Sequence, residues 1–219
     1  MMGNVIAIDG PTGAGKSTIA KLIARKLGFS YLDTGALYRA IALALRNSGM
    51  NSEDSDERLM DVLHRTDISY TDGKVFLHGK DISEDIRSKE IDHYSSVFSA
   101  RKIVRDFLFD IQRNAGSTHD IVVEGRDTTT VVFPKAWKKI YLDASLEERA
   151  KRRYLQYKER GMHMSMEECM RGVMARDKRD SNRDIAPLKK ADDSFVVDSS
   201  NLSIEEVQKK ILGHIKTEP

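Results

Sequence analysis

Short apolar runs alternate with stretches of helical apolar spacing along most of this 219-residue chain. The run at 5–8 is followed by apolar positions from Ile19 to Ala24 that recur at helical spacing. Strands that alternate with helices in this way form a parallel sheet with helices on both faces. We therefore predict an α/β fold with a parallel β-sheet core. Further strands are predicted at 29–32, 120–124, 139–143 and 195–198, and further helices at 36–47, 100–115 and 145–161 and from 165 and 203 onwards.

One segment departs from this order. Two runs of alternating apolar and polar residues, at 68–71 and 74–77, flank the dipeptide Asp72-Gly73, which is typical of a hairpin turn. An antiparallel hairpin does not belong in a series of parallel strand–helix units. We therefore predict a small inserted subdomain at about 56–96.

The first strand leads into a segment that satisfies the pattern G-x-x-x-x-G-K-[ST], a phosphate-binding loop, or P-loop. Its backbone N–H groups and the N-terminus of the following helix suit a bound phosphate. We expect Lys16 to reach the β- and γ-phosphates, and the hydroxyl of Ser17 or Thr18 to meet Mg²⁺. The pattern predicts that the chain binds a nucleoside triphosphate such as ATP. The predicted binding residues are Gly10, Pro11, Thr12, Gly13, Ala14, Gly15, Lys16, Ser17 and Thr18.

Arginines are concentrated where the other strands are predicted to end. Because ligands bind beyond the carboxyl ends of parallel strands, the P-loop, 33–35, 125–127 and Asp143 should surround one crevice. The guanidinium fork of arginine donates two parallel hydrogen bonds to a phosphate. The pattern favours a phosphotransferase for a small acceptor. The candidate clamps are Arg39, Arg126 and, on one face of a continuing helix, Arg176, Arg179, Asp180 and Arg183.

Composition and charge exclude several other classes. The chain has 36 basic and 34 acidic residues, so its net charge of +2 provides no field that would attract nucleic acid. No apolar run approaches the ~20 residues that span a bilayer, and the N-terminus lacks a signal-peptide pattern. A single cysteine, Cys169, fits a reducing compartment. The guanine-recognising segment N-K-x-D of a regulatory GTPase is absent. We expect a cytoplasmic monomer that binds neither nucleic acid nor a membrane.

Four segments together carry a family resemblance. They are 8–16 in the P-loop region, Leu32-Asp33-Thr34-Gly35-Ala36-Leu37-Tyr38-Arg39, Glu124-Gly125-Arg126-Asp127, and 176–183. With them the chain resembles the bacterial-type cytidylate kinases over nearly its whole length. The resemblance implies a single P-loop kinase domain over 1–219, in which 56–96 is the nucleoside-monophosphate-binding (NMP) subdomain and about 149–165 is a helical lid. It also implies transfer of a phosphoryl group from ATP to CMP or dCMP, with Mg²⁺.

The resemblance also assigns roles to individual residues. Lys16, Arg126 and Arg183 would be catalytic, and Arg176 and Asp180 would lie near the sugar. The acceptor phosphate is assigned to Thr34, Arg39, Gly125 and Arg126, and cytosine to Ser96, Arg105 and Asp127, with Ser95 or Ser99 as alternatives to Ser96. Two positions depart from the family pattern: Glu124 replaces an aspartate, and Thr129 replaces a glycine.

Two alternatives stay open at this stage. One is a related small-acceptor kinase that acts on UMP, AMP or a non-nucleotide alcohol. The other is a non-catalytic switch that holds ATP and a protein partner, which would bind ATP stoichiometrically without turnover.

Overall fold

A five-stranded parallel sheet forms the centre of the protein. The computed structural model describes residues 3–71, 73–117 and 119–216. The strands of the sheet have the order β2-β6-β1-β7-β8, and all of their pairings are parallel. The elements are β1 (Val5–Asp9), α1 (Lys16–Leu27), β2 (Ser30–Asp33), α2 (Thr34–Asn47), α3 (Asp56–His64), β3 (Ile68–Thr71), β4 (Lys74–Leu77), β5 (Lys80–Asp81), α4 (Lys89–Phe98), α5 (Lys102–Ala115), β6 (Ile121–Glu124), β7 (Lys138–Asp143), α6 (Leu146–Glu159), α7 (Met166–Asn182), β8 (Phe195–Asp198) and α8 (Ile204–Lys216).

Helices cover both faces of this sheet because alternate strand residues point to opposite sides. Ile6 and Ile8 of β1 belong to a buried cluster with residues of α1 and α8. Val5, on the same strand, belongs to a second cluster with residues of α2 and α5. The predicted α/β class, with helices on both faces of a parallel sheet, is confirmed.

The smaller sheet is antiparallel, with strand order β3-β4-β5. Its first two strands pair Ile68 with Leu77 and Thr71 with Lys74, which confirms the predicted hairpin. Asp72, in the predicted turn, lies outside the described residues. Two helices beside this sheet, α3 and α4, were not predicted, and their apolar residues join the same buried cluster as α2. Because these helices pack into that shared cluster rather than into a core of their own, the limits 56–96 of the inserted subdomain stay a prediction.

Serine residues begin the later helices, as their sequence pattern predicts. Ser165 and Glu168 form a reciprocal capping box at the start of α7. At the start of α6, Ser145 accepts a bond from the Glu148 amide, but the Glu148 carboxylate binds Arg152 instead. α7 ends at Asn182, so Arg183 lies just beyond the helix that was expected to carry it. No helix in the described ranges is long and apolar enough to cross a membrane.

Candidate active site

A cavity of about 500 Å³ lies at the carboxyl ends of the central strands. The P-loop follows β1 in the middle of the sheet. Leu202, in the connection from β8 to α8, and Ile204 and Val207, on α8 itself, border the cavity on one side. Residues of α2 and α4, including Tyr38 and Ser95, border the opposite side. The cavity therefore extends along the sheet edge from α8, past the P-loop, to α2 and α4.

The glycines of the P-loop are required mainly by close packing behind the loop. Gly10 has φ +151°, and a Cβ there would lie 1.9 Å from the Leu142 carbonyl oxygen of β7. Gly13 has φ +80°, and its Cβ would lie 2.8 Å from the Arg149 carbonyl oxygen of α6. Gly10 and Pro11 are buried and do not line the cavity, whereas residues 12–18 do. The loop thus presents one face to a ligand and packs with the other.

Lys16 is a buried cation at the base of the cavity. Its Nζ donates a hydrogen bond to the Pro11 carbonyl across the loop, at 2.7 Å. Burial, together with the nearby Arg126, lowers the pKa of Lys16 to about 7. A buried lysine that is costly to charge gains most from a neighbouring phosphate, because the opposite charge favours the protonated form.

Glu124, at the end of β6, lines the cavity close enough to Lys16 for their charges to interact. It is 4% exposed, and its Oε1 accepts a hydrogen bond from the Tyr31 hydroxyl at 2.8 Å. Burial and the neighbouring Asp33 raise the pKa of Glu124, and Lys16 and the Ser17 hydroxyl oppose that rise. The longer side chain at this position is therefore held in place by Tyr31 and Ser17.

Asp9 fixes the turn that carries the Gly-Arg-Asp segment. This carboxylate is fully buried at the end of β1 and accepts four hydrogen bonds, from the amide and hydroxyl groups of Thr128 and Thr129. A hydroxyl at Thr129 thus satisfies a buried carboxylate, which accounts for a threonine at this departure from the family pattern.

We expect Asp9→Asn to destabilise the protein by about 1–3 kcal/mol, because the amide leaves buried donors of the turn without an acceptor. For a chain of this size the melting temperature should fall by roughly 2–10 °C. Thermal denaturation followed by circular dichroism measures the shift. Asp193→Asn is the control, since Asp193 is 67% exposed and pairs with Lys139 at the surface; equal shifts for the two variants would contradict the structural role of Asp9.

Asp127 forms the floor of the cavity on the side of α2. Its Oδ2 accepts a bond from Arg105, and its Oδ1 lies 3.2 Å from Arg183 Nη2. Arg105 is buried behind Asp127, over the ring of Tyr38, and does not line the cavity. A carboxylate held between two guanidinium groups presents a fixed hydrogen-bond acceptor with a donor from Arg183 beside it.

A second group of arginines surrounds the middle of the cavity. Arg126 donates to Asp180 Oδ2 at 3.2 Å and to Thr12 Oγ1 at 3.0 Å. Arg176 Nε is buried and lies 3.8 Å from Asp180 Oδ2, and among the described residues it has no hydrogen-bond partner. Burial and Arg126 lower the pKa of Arg176. These groups form a site of concentrated positive charge with a free donor, which favours an anion.

Arg39 and Thr34 complete the wall beside α2. Arg39 Nη2 donates to Asp33 Oδ2 at 3.0 Å, and Thr34 Oγ1 donates to the Glu124 carbonyl at 2.8 Å. A Cβ on Gly125 would lie 2.7 Å from Thr34 Oγ1, so a glycine is needed where the two strand ends meet.

Comparison with known proteins identifies the family. The family model for cytidylate kinase matches residues 6–217. A cytidylate kinase from Thermodesulfovibrio yellowstonii is 49% identical over 218 residues, which cover 98% of each chain. The chain belongs to the cytidylate kinase family. A cytidylate kinase from Fervidobacterium nodosum is 49% identical over 211 residues, which are 96% of this chain and 95% of that one.

A solved structure from Eubacterium ventriosum, described as an uncharacterized protein, shares the fold with a TM-score of 0.56 at 10% identity. It covers 98% of this chain and 99% of its own. The predicted membership of the cytidylate kinase family is thereby confirmed, and with it the class of phosphotransferase.

Most of the site residues proposed from the family pattern meet in the cavity, and a few do not. Ser96 is buried and its hydroxyl accepts a bond from Arg179 Nε at 2.9 Å, whereas Ser95 and Ser99 line the cavity. Asp143 does not line it either, because its carboxylate caps the Ala144 amide. The predicted residues that line it are Thr12, Gly13, Ala14, Gly15, Lys16, Ser17, Thr18, Thr34, Arg39, Gly125, Arg126, Asp127, Arg176, Asp180 and Arg183.

Sequence reasoning missed the clamp that holds the P-loop from α6 and α7. Asp177 Oδ1 accepts from the Thr12 amide at 3.0 Å, and Arg149 Nη1 donates to the Thr12 carbonyl at 3.1 Å. Arg149 and Asp177 also pair with each other. The concentration of basic residues between 149 and 183 was the available signal, but it does not say which arginine meets which partner.

Proposed function

We propose that the protein transfers the γ-phosphoryl group of ATP to the phosphate of CMP or dCMP, which yields ADP and CDP or dCDP. The observation that carries the proposal is one cavity lined by the P-loop and, toward α2, by Asp127 with its paired arginine Arg183. Membership of the cytidylate kinase family supports the same reaction.

The donor occupies the side of the cavity between the P-loop and α8. Backbone amides of residues 13–17 and the N-terminus of α1 surround the β- and γ-phosphates, where Lys16 adds a positive charge. Leu202, Ile204 and Val207 give the base an apolar contact surface.

Mg²⁺ fits beside Ser17. The Ser17 hydroxyl and the Glu124 carboxylate both line the cavity and interact with each other, and oxygen groups of these kinds are the ligands that Mg²⁺ prefers. This interaction favours Ser17 over Thr18 as the hydroxyl at the metal. When bound, the ion neutralises charge on the β- and γ-phosphates, and Tyr31 keeps Glu124 oriented toward it.

The acceptor phosphate occupies the middle of the cavity. Arg39 and Arg126 each present a guanidinium there, and Thr34 fixes the strand end beneath them. In-line transfer requires two anions to be held in contact, so the cations must compensate their repulsion. Arg126 and Arg183 lie along the path of the migrating group. Arg176 and Asp180 lie toward the sugar, and Asp180 also orients Arg126.

Cytosine is recognised beside Asp127. Its N4 amino group donates to the Asp127 carboxylate, which Arg105 holds from behind, and its N3 and O2 accept from the guanidinium side of the site. A serine at the C-terminal end of α4 adds a hydroxyl, and Ser95 or Ser99, rather than Ser96, lies at the cavity. Uracil reverses the polarity at positions 3 and 4, which leaves buried groups unpaired at about 1–3 kcal/mol each.

The domain assignments and the cellular setting belong to this proposal. The segment 56–96 acts as the acceptor-binding subdomain, and 149–165 acts as a lid that excludes water from the transferring phosphate. The balanced charge and the single cysteine support a cytoplasmic monomer that binds neither nucleic acid nor a membrane.

A coupled assay of ADP release, with ATP and Mg²⁺, tests the function across CMP, dCMP, UMP, AMP and shikimate. We expect the highest kcat/KM with CMP or dCMP. Greater turnover of AMP, UMP or shikimate would show that one of these, and not CMP or dCMP, is the acceptor. Stoichiometric ATP binding without turnover of any acceptor would indicate a switch instead.

We expect Arg39→Lys to raise the KM for CMP by about tenfold and to leave the Kd for ATP within a factor of two. Lysine keeps the charge but loses the two parallel hydrogen bonds of the guanidinium fork. Arg46→Lys is the matched control on the same helix, since Arg46 pairs with Glu90 away from the cavity. Equal losses on the CMP and ATP sides would place Arg39 outside the acceptor site.

A further inference from the structure

One carboxylate joins the acceptor side of the cavity to the helices that cover it. Asp92 lies on α4, with its side chain 15% exposed. Its Oδ2 accepts a hydrogen bond from Arg153 of α6, and its Oδ1 lies 3.6 Å from Arg176 Nη1 of α7. In the described part of the chain, both ion pairs between α4 and the arm formed by α6, α7 and their connection (residues 146–182, the α6–α7 arm) use this carboxylate.

The α6–α7 arm has little apolar attachment to the rest of the molecule. Its buried apolar residues include Tyr157, Cys169 and Val173, and none of these belongs to either of the two core clusters around the sheet. Segments with few apolar contacts to a core open more easily than the core itself. Polar contacts must therefore contribute a large share of what holds the α6–α7 arm against α4.

α4, in contrast, is anchored in the core. Ile91 and Phe98 are buried in the cluster that contains α2, while Ser95 of the same helix and Ser99, which directly follows it, line the cavity. Asp92 thus projects from a fixed helix on the acceptor side toward two arginines of an arm whose attachment is mainly polar. It lies in the wall between the active-site cavity and a second cavity of about 400 Å³, and Arg153 and Arg176 line both.

The two arginines differ in how they are held. Arg153 stacks 4.5 Å from the centre of the Tyr157 ring and donates to the Tyr157 hydroxyl at 2.9 Å, so its position on α6 is fixed. Arg176 contacts Asp92 and Asp180 only at ion-pair distance, and its buried Nε has no hydrogen-bond partner in the described ranges. Asp92 therefore balances the charge of Arg176 without occupying its donors. Burial raises the pKa of Asp92, but Arg153, Arg176 and Arg39 hold it below its usual value, so the carboxylate stays ionised.

We propose that Asp92 is a positioning residue that draws the α6–α7 arm onto α4 and presents Arg176 to the acceptor nucleotide. This inference rests on the proposed function for its catalytic part, and its conformational part stands on the contacts alone. Through these two contacts, one carboxylate links the acceptor side of the cavity to the α6–α7 arm.

The test compares Asp92→Asn with Glu90→Gln. Both remove one negative charge from α4, but Glu90 is 52% exposed and pairs with Arg46 of α2 on the other side of the helix. We expect Asp92→Asn to raise the KM for CMP by about tenfold, with a smaller change in kcat and a Kd for ATP within a factor of two. Glu90→Gln should leave all three unchanged. In an Asp92→Asn background, Arg153→Gln should raise the KM for CMP little further, because the ion pair between the two residues is already broken.

Hydrogen exchange of the nucleotide-free protein supplies a readout that does not depend on turnover. We expect amides of the α6–α7 arm to exchange at least about five times faster in Asp92→Asn, with α1 and α2 unchanged, because local opening exposes only the arm. Unchanged exchange in the arm, or equal effects of Asp92→Asn and Glu90→Gln, would overturn the proposal. If the wild-type protein phosphorylated no CMP while exchange in the Asp92→Asn arm increased, the proposed function would fail and the link between α4 and the arm would stand.

Discussion

Lys16→Met should reduce kcat for CMP phosphorylation by about 10²- to 10⁴-fold and leave the protein folded. The loss corresponds to roughly 3–5 kcal/mol of transition-state stabilisation, because the lysine charge acts on the phosphates between which negative charge moves. Methionine keeps an unbranched side chain of similar length in a position that is 5% exposed. Burial already disfavours the charged form of Lys16, so replacing it should not lower the melting temperature.

Lys21→Met is the matched control for this substitution. Lys21 lies on the same helix, is exposed, and places its Nζ 5.6 Å from the centre of the Tyr31 ring. Steady-state kinetics with CMP and ATP, together with thermal denaturation of both variants, separate a catalytic loss from a folding defect. A near-normal rate for Lys16→Met would remove the P-loop lysine from the mechanism.

The parts of the site that the sequence predicts well are contiguous in the chain. The P-loop needs only a strand, a glycine-rich turn and a helix in order, and all three lie within residues 5–27. The Gly-Arg-Asp segment is likewise positioned by the strand that directly precedes it, β6. Such local structures can be recognised from the sequence, because the residues that determine them are neighbours along the chain.

Side-chain direction on a helix is harder to predict, and α4 shows why. Ser95, Ser96 and Ser99 are equally plausible hydroxyl donors in sequence, but successive helical residues are rotated by about 100°. The burial of Ile91 and Phe98 against the cluster around α2 sets the rotation of α4. It turns Ser95 and Ser99 to the cavity and Ser96 to Arg179. The apolar packing of a helix that was not predicted thus decides which hydroxyl is available.

Contacts between distant segments are also invisible in the sequence. Asp9 meets Thr128 and Thr129 about 120 residues away, and only the pairing of β1 with β6 brings them together. Arg152 and Arg153 are adjacent, yet Arg152 binds the Ala14 and Ser199 carbonyls whereas Arg153 binds Asp92. The sequence shows that the segment around these arginines is basic, but the partner of each arginine depends on how the α6–α7 arm packs against the rest of the protein.

Asp127→Asn should lower the preference for CMP over UMP, expressed as the ratio of their kcat/KM values, by about 10- to 100-fold. The carboxylate only accepts hydrogen bonds, so it suits the N4 amino group of cytosine and repels the O4 oxygen of uracil. An asparagine amide can donate to O4, which removes a mismatch worth about 1–3 kcal/mol. Each 1.4 kcal/mol is a factor of ten in the ratio.

The ratio is the right measure because Asp127→Asn also weakens the site generally. Arg105 and Arg183 are both buried and lose the charge of their partner, so kcat/KM should fall for both nucleotides. Asp180→Asn provides the matched control: it removes another buried carboxylate, one that pairs with Arg126 and Arg176 beside the sugar and phosphate, which CMP and UMP share. We expect it to lower both kcat/KM values and to leave their ratio unchanged. An unchanged ratio in Asp127→Asn would exclude this carboxylate as the group that distinguishes the two bases.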